Sequence, residues 1–340
     1  MTNNTNVLPE AAEHAAALAL KHITNPTNPW RGRSLLDMVS VSAEEIAIGL
    51  ETAAALKIVH DARCNAVKFS YPSTLGLLFE KPSLRTRTSF EAGMAQLGGA
   101  SIYLAPGDVG MGKRESVEDV AGALSRWVDL IAARVFAHST VVELDYHATV
   151  PVINALSDRE HPLQMFADLL TMQQQLGTLK GTKLAYVGDG NNVLQSLLIA
   201  CARTGVHISA ACPDGYLPDP FFLTEAQRIA SEEKTGAVVT IVTDPQEAVQ
   251  NANAIYTDVW TSMGQEEESA IRRVVFAPYC ITPELLQAAA PGAFAMHCLP
   301  AHLGEEITAS AMQLHRTVIL DQAENRLHTQ KAIAALILGL

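Results

Sequence analysis

From residue 74 onward, short apolar runs alternate with stretches of helical periodicity, and this alternation limits what the chain can fold into more than any other feature. Apolar runs at 74–79, 100–104, 130–136 and 150–155 read as strands, with helical patterns at 84–97, 117–128 and 141–148 between them. After a long helix at 162–176, a second series follows, with strands at 183–187, 206–212, 238–242, 254–259, 294–296 and 317–320 and helices at 193–204, 221–235 and 245–251. Parallel neighbours need a crossover of helix length, so such alternation predicts parallel sheets with helices on their faces. With 340 residues there is enough chain for two cores. The expected fold class is therefore α/β with two domains, each a parallel sheet flanked by helices. The boundaries read as 1–156 and 157–321, with a last helix in 322–340 that packs back on the first domain. The first 59 residues read as helices at 11–22 and 42–57.

In open parallel sheets, ligands bind beyond the carboxyl ends of the strands. After the strand ending at Phe79 comes Ser83-Leu84-Arg85-Thr86-Arg87, at the start of a helix with Phe90, Met94 and Leu97 on one face. This turn offers backbone N–H groups, the positive end of a helix dipole, two hydroxyls and two guanidinium forks, which together suit a phosphate. The competing reading is a helix start capped by Ser83, with the arginines solvated or paired to Glu80 and Glu91. Arg134 lies near the end of the apolar run 130–136, and an arginine inside such a run is costly to bury unless it meets an anion. His161-Pro162-Leu163-Gln164 opens the long helix, with Pro162 suited to the first helical position. His161 and Gln164 sit one turn apart and can donate to a carbonyl oxygen that gains charge.

Three further motifs fall at strand ends. Gly188-Asp189-Gly190-Asn191-Asn192 resembles half of a dinucleotide fingerprint, but Val193 holds the third glycine position and the next strand ends without a clear acidic residue. Asp258, Ser262, Met263 and Gly264 put a carboxylate, a hydroxyl and a glycine turn after one strand, which suits an ammonium and a carboxylate on a ligand. His297-Cys298-Leu299-Pro300 ends another strand. Adjacent residues of an extended chain face opposite sides, so His297 is not a base for Cys298, and an inert buried cysteine is the competing reading.

A net charge of −12, without a lysine- or arginine-rich face, argues against nucleic acid or an anionic membrane as partner. An anionic substrate must then be captured by a local pocket. Five scattered cysteines without Cys-x-x-Cys pairing suggest neither a disulfide framework nor a zinc site. No apolar run reaches the length of a membrane span, and the N-terminal residues match no secretory or mitochondrial presequence, so a cytoplasmic protein is expected.

Taken together and in order, the Ser-x-Arg-Thr-Arg turn, Arg134, His-Pro-x-Gln, Gly-Asp-x-Asn-Asn, Asp-x-x-x-Ser-Met-Gly, His-Cys-Leu-Pro and Glu324-Asn325-Arg326 resemble the aspartate/ornithine carbamoyltransferase family over nearly the whole chain. The Asp258–Gly264 segment and the Cys298 motif are similar to the ornithine-specific members. The resemblance implies carbamoyl transfer from carbamoyl phosphate to the side-chain amine of L-ornithine, with no cofactor and no metal, in a cleft that closes between the two domains of a homotrimer. It implies that Ser83, Leu84, Arg85 and Thr86 bind the phosphate. Arg134, His161 and Gln164 would hold the carbamoyl group, joined by Cys298, Leu299 and Arg326, with Arg134, His161 and Cys298 in catalytic roles. Asn192, Asp258, Ser262 and Met263 would hold ornithine. The chain carries Leu84 where many members have threonine, and Gly110 where many have a glutamine that reaches a neighbouring subunit's site.

Rival readings keep the donor but change the acceptor to putrescine or an acylated ornithine. Others replace the chemistry with a dinucleotide-dependent oxidoreduction or with binding alone. The Asp258–Gly264 segment weighs against the first pair, Val193 against the second, and the full polar set against the third.

Overall fold

The computed structural model describes residues 9–262 and 266–339. In chain order its helices are α1 (Glu10–Thr24), α2 (Ala43–Asp61), α3 (Leu84–Gln96), α4 (Pro106–Val109), α5 (Val117–Leu124), α6 (His138–His147), α7 (Pro162–Leu176), α8 (Asn192–Thr204), α9 (Pro220–Glu232), α10 (Pro245–Val249), α11 (Ser269–Phe276), α12 (Pro283–Gln287), α13 (Ala309–Leu314) and α14 (Arg316–Leu338). The strands are β1 (Thr74–Phe79), β2 (Ala100–Leu104), β3 (Leu130–Arg134), β4 (Val152–Leu156), β5 (Lys183–Val187), β6 (His207–Ala211), β7 (Val239–Val242), β8 (Ala254–Thr257) and β9 (Phe294–His297). The chain divides into two compact units. One holds the residues up to Leu36, Glu44–Ser157 and those from Asn325; the other holds Asp37–Ala43 and Asp158–Glu324.

In the first unit the sheet order is β2-β1-β3-β4, and every pair is parallel. β1 is buried from Leu75 to Phe79, which accounts for its unbroken apolar sequence, because a strand covered on both faces has no polar side. The chain passes from β1 to β2 on one side and then crosses to β3 on the other. The switch point, where loops diverge and leave a crevice, therefore lies between the ends of β1 and β3. On α3, Phe90 and Met94, with Leu97 just beyond, form the buried face that their spacing predicts.

In the second unit the order is β7-β6-β5-β8-β9, again all parallel, with the switch point between β5 and β8. Tyr186 of β5 and Tyr256 of β8 are fully buried and stack with ring centroids 6.0 Å apart, filling the centre of this sheet. Among the described residues no helix is long and apolar enough to cross a membrane.

One expected element is absent. Residues 317–320 are the first turn of α14 rather than a strand. Thr-Val-Ile-Leu is too short a run for periodicity to separate strand from helix, and its β-branched residues carry only a small helix penalty that the longer helical pattern after it outweighs. Three strands also stop earlier than their apolar runs, β3 at Arg134, β6 at Ala211 and β8 at Thr257, so that Val135, Phe136, Cys212, Asp258 and Val259 lie beyond them.

Candidate active site

At the first switch point, Ser83 caps α3 with its hydroxyl accepting from the Thr86 N–H at 3.3 Å. The capping reading of Ser83 is therefore realised, and it leaves the turn suited to an anion, since the first turn of α3 carries no carboxylate to neutralise the helix dipole. The Thr86 hydroxyl is buried and accepts from Nη2 of Arg326 at 3.0 Å. Arg326 reaches it from α14, which is fixed along α3 by Ser89 to Gln330 and by Lys331 Nζ to Gln96 at 2.8 Å. The two arginines of the turn differ: Arg87 is committed to Glu91 at 2.9 Å and lies over the Tyr103 ring at 3.8 Å, whereas Arg85 is half-buried. Leu84 is 76 % exposed, so its side chain contributes no apolar packing within this unit.

Arg134 stands directly beside Phe79 in the register of β1 and β3. The pairing of β3 with β4 shifts between Ala133 and Arg134, a bulge of the kind that re-aims a side chain at the end of a strand. Glu80 ties both turns together: its N–H donates to the Arg134 carbonyl at 2.8 Å, and its carboxylate accepts from the Phe136 N–H at 2.7 Å. Ser83, Leu84, Arg85, Thr86, Arg134 and Arg326 thus belong to one cluster in the first unit. Gly110 ends α4 with φ of +66°, a left-handed backbone that a glutamine adopts only with strain.

In the second unit, His161 is the residue before α7 and is buried, with its N–H donating to the Ser196 hydroxyl at 3.0 Å. Glu160 beside it accepts from that hydroxyl at 2.9 Å and from the Met38 N–H at 2.8 Å. Burial pushes the Glu160 carboxyl up to about 8. Gln164, almost wholly buried, donates from Nε2 to Asp168 Oδ1 at 2.7 Å. The same oxygen accepts from Gln322 Nε2 at 2.7 Å, and Gln322 Oε1 accepts the His297 N–H at 2.9 Å.

At the second switch point, Asp258 is buried just beyond β8. Its Oδ2 accepts from Asn191 Nδ2 at 2.8 Å and its Oδ1 from the Cys298 thiol at 3.0 Å. Asn191 does two jobs at once, because its Oδ1 also caps α8 through Val193 and Leu194. Burial, reinforced by the Asp258 charge, pushes the Cys298 thiol well up, so it is a protonated donor and not a thiolate nucleophile. His297 is no base for it either. Its Nδ1 accepts the Leu299 N–H at 2.8 Å, which puts the ring proton on Nε2, 3.0 Å from the buried Glu306. That contact helps hold Leu299 at φ of +58°, an uncommon conformation for a leucine and of the kind that gathers at binding sites. Asn192 opens α8 next to Asn191, and Ser262 is half-buried four residues past Asp258. Met263 and Gly264 lie outside the described residues.

Arg272 of α11, buried, fixes the segment after Asp258. It donates to Asp189 at 3.0 Å, to the Trp260 carbonyl at 2.9 Å and to Glu268 at 2.9 Å. Burial raises the Asp189 carboxyl to about 6 against the pull of Arg272. In the same turn, a Cβ on Gly190 would sit 2.2 Å from the Pro218 nitrogen, so close packing of the 216–218 backbone accounts for this glycine without a dinucleotide. The sequence motifs assign no site role to Asn191, Asp168, Gln322 or Arg272. Asp168 is within reach of such a reading, one helical turn after Gln164, and Asn191 is visible as a cap.

Comparison with known proteins matches both halves. Residues 33–174 fit the family model described as aspartate/ornithine carbamoyltransferase, carbamoyl-P binding domain, and residues 180–337 fit its Asp/Orn binding domain. An ornithine carbamoyltransferase of Symbiobacterium thermophilum is 48 % identical over 312 residues, covering 91 % of this chain and 99 % of that protein. An anabolic ornithine carbamoyltransferase of Pyrococcus furiosus is 46 % identical, covering 91 % and 97 %. The solved structure of ornithine carbamoyltransferase from Pyrococcus furiosus superposes with a TM-score of 0.87 over 91 % of this chain and 98 % of that one. That from Thermus thermophilus gives 0.78 at 45 % identity, over 89 % and 98 %. Family models over both halves, and relatives this similar over nearly their full length, establish that the chain belongs to the aspartate/ornithine carbamoyltransferase family.

Proposed function

We propose that the chain transfers the carbamoyl group of carbamoyl phosphate to the side-chain amine of L-ornithine, giving L-citrulline and phosphate. The observation that carries the choice of acceptor is Asp258, a buried carboxylate held by Asn191 and Cys298 at the switch point of the unit matched by the Asp/Orn binding model. A fixed negative charge there attracts an ammonium-bearing amino acid and repels the second carboxylate of aspartate.

In this reading, Ser83, Leu84, Arg85 and Thr86 take the phosphate at the start of α3. Arg134, His161, Gln164 and Arg326, with Cys298 and the carbonyl of Leu299, surround the carbamoyl group. Asn192, Asp258, Ser262 and Met263 hold ornithine. The donor is already an activated acyl compound, so the protein has to orient the amine and stabilise the oxyanion. The neutral amine attacks the carbonyl carbon, Arg134 and His161 stabilise the tetrahedral oxyanion, and the carbon–oxygen bond to phosphate then breaks. Asp258 and Cys298 steer the proton from the amine. The working assembly is a homotrimer, as the resemblance implies, with Gly110 unable to supply the glutamine contact between subunits.

The test offers carbamoyl phosphate with ornithine, putrescine, N-acetylornithine or aspartate and measures ureido product. Turnover with ornithine alone is expected. Preference for another amine overturns the acceptor assignment, and no product with any of them overturns the activity.

A further inference from the structure

In the proposed function Gln164 meets the carbamoyl group, and the role of its neighbour Asp168 rests on that assignment. A glutamine amide can be turned either way, with its N–H₂ or its carbonyl toward a ligand, and the two orientations recognise opposite chemistry. The structure removes this freedom. Gln164 Nε2 lies 2.7 Å from Asp168 Oδ1, and a carboxylate oxygen only accepts, so the amide nitrogen is the end held there. An independent contact fixes the same oxygen: Gln322 Nε2 donates to it at 2.7 Å, while Gln322 Oε1 accepts the His297 N–H at 2.9 Å, which sets the orientation of that second amide. Asp168 is fully buried, so the arrangement is shielded from water.

We propose that Asp168 is a positioning residue that sets donor specificity, by holding Gln164 with its carbonyl oxygen turned away from Asp168 to accept from the –NH₂ of a carbamoyl group. An acetyl group offers a methyl there and no donor. A site built to hydrogen-bond a substrate N–H discriminates against the analogue lacking it far better than an apolar pocket does. Through Gln322 the same carboxylate also anchors the backbone leading into Cys298, so one group aligns two parts of the pocket.

The test measures binding of two unreactive probes by calorimetry: phosphonoacetamide, with the –NH₂, and 2-oxopropylphosphonate, with a methyl in its place. The wild type is expected to favour the amide. In Asp168→Ala, which removes the acceptor, this contact no longer fixes the Gln164 amide and either end can face the ligand, so the preference should fall about tenfold, mainly through weaker binding of the amide. If this variant folds poorly, Asp168→Ser makes the same test, because its hydroxyl stops short of the Gln164 amide and leaves it unfixed. Equal loss of affinity for both probes, or an unchanged preference in a folded variant, overturns the specificity role. A wild type that binds neither probe overturns the assignment of the donor site, and the inference with it.

Discussion

Arg272→Met isolates what holds the Asp258 segment in place. Methionine keeps most of the apolar stem, but it removes the guanidinium that lies over the Tyr216 and Phe276 rings and meets Asp189, the Trp260 carbonyl and Glu268. The Glu268 contact is to an exposed side chain and contributes little. The Asp189 contact is buried on both sides, and removing one member of such a pair costs about 3–5 kcal/mol. For a unit of this size each kcal/mol is worth about 2–4 °C, so the midpoint of its thermal unfolding should drop on the order of 10 °C. The loss must also depend on pH. Asp189 titrates near 6 with Arg272 lowering it, above its usual value of 3.8, so in the wild type its burden grows as pH rises through that window and is flat beyond. Without Arg272 the folded value moves higher still and the burden keeps growing above pH 6. Calorimetric scans at pH 5.5 and pH 8 should therefore show a larger deficit at pH 8. Equal deficits, or a midpoint within a degree or two of wild type, would refute the view that this pair anchors the segment.

Two further outcomes come from buried groups. Glu160 titrates near 8 instead of 4.5, so the folded state holds an extra proton across that window and stability declines as pH rises through it, by a few kcal/mol in all. Glu160→Gln keeps an acceptor for Met38 and Ser196 and should flatten the decline, and a slope unchanged between pH 5 and 8.5 in thermal scans would count against it. Cys298 should resist iodoacetamide at pH 8 when its peptide is followed by mass spectrometry, and Asp258→Asn should speed the reaction by removing the neighbouring charge. A slower or unchanged rate in that variant would show that burial alone governs the thiol.

Much of this architecture can be read from the residues, because strands covered on both faces have little choice of composition. β1, β2, β5 and α7 begin and end where their apolar runs and caps say. Arg134 is legible for the same reason, as a charge inside an apolar run, and the structure then makes it the last residue of β3. Short helices such as α11 to α13 are not, since five to eight residues hold too few turns for periodicity to show. Nor are the partners that orient the site. Gln322 meets Asp168 across 154 residues of sequence and Arg272 meets Asp189 across 83, and neither pairing leaves a local pattern. The motifs name the groups that face a ligand, while the groups that aim them become visible only once the chain is folded.

In the proposed reaction the labour is divided: donor phosphate is bound by the turn after β1, and the acceptor by the turn after β8. Steady-state kinetics of Arg85→Ala beside Asp258→Asn tests that division most directly. Arg85→Ala should raise the KM for carbamoyl phosphate, by about 2–5 kcal/mol expressed as affinity, with a far smaller effect on ornithine. Asp258→Asn should do the reverse. Both variants weakening the same substrate, or Arg85→Ala keeping wild-type affinity for carbamoyl phosphate, would contradict it.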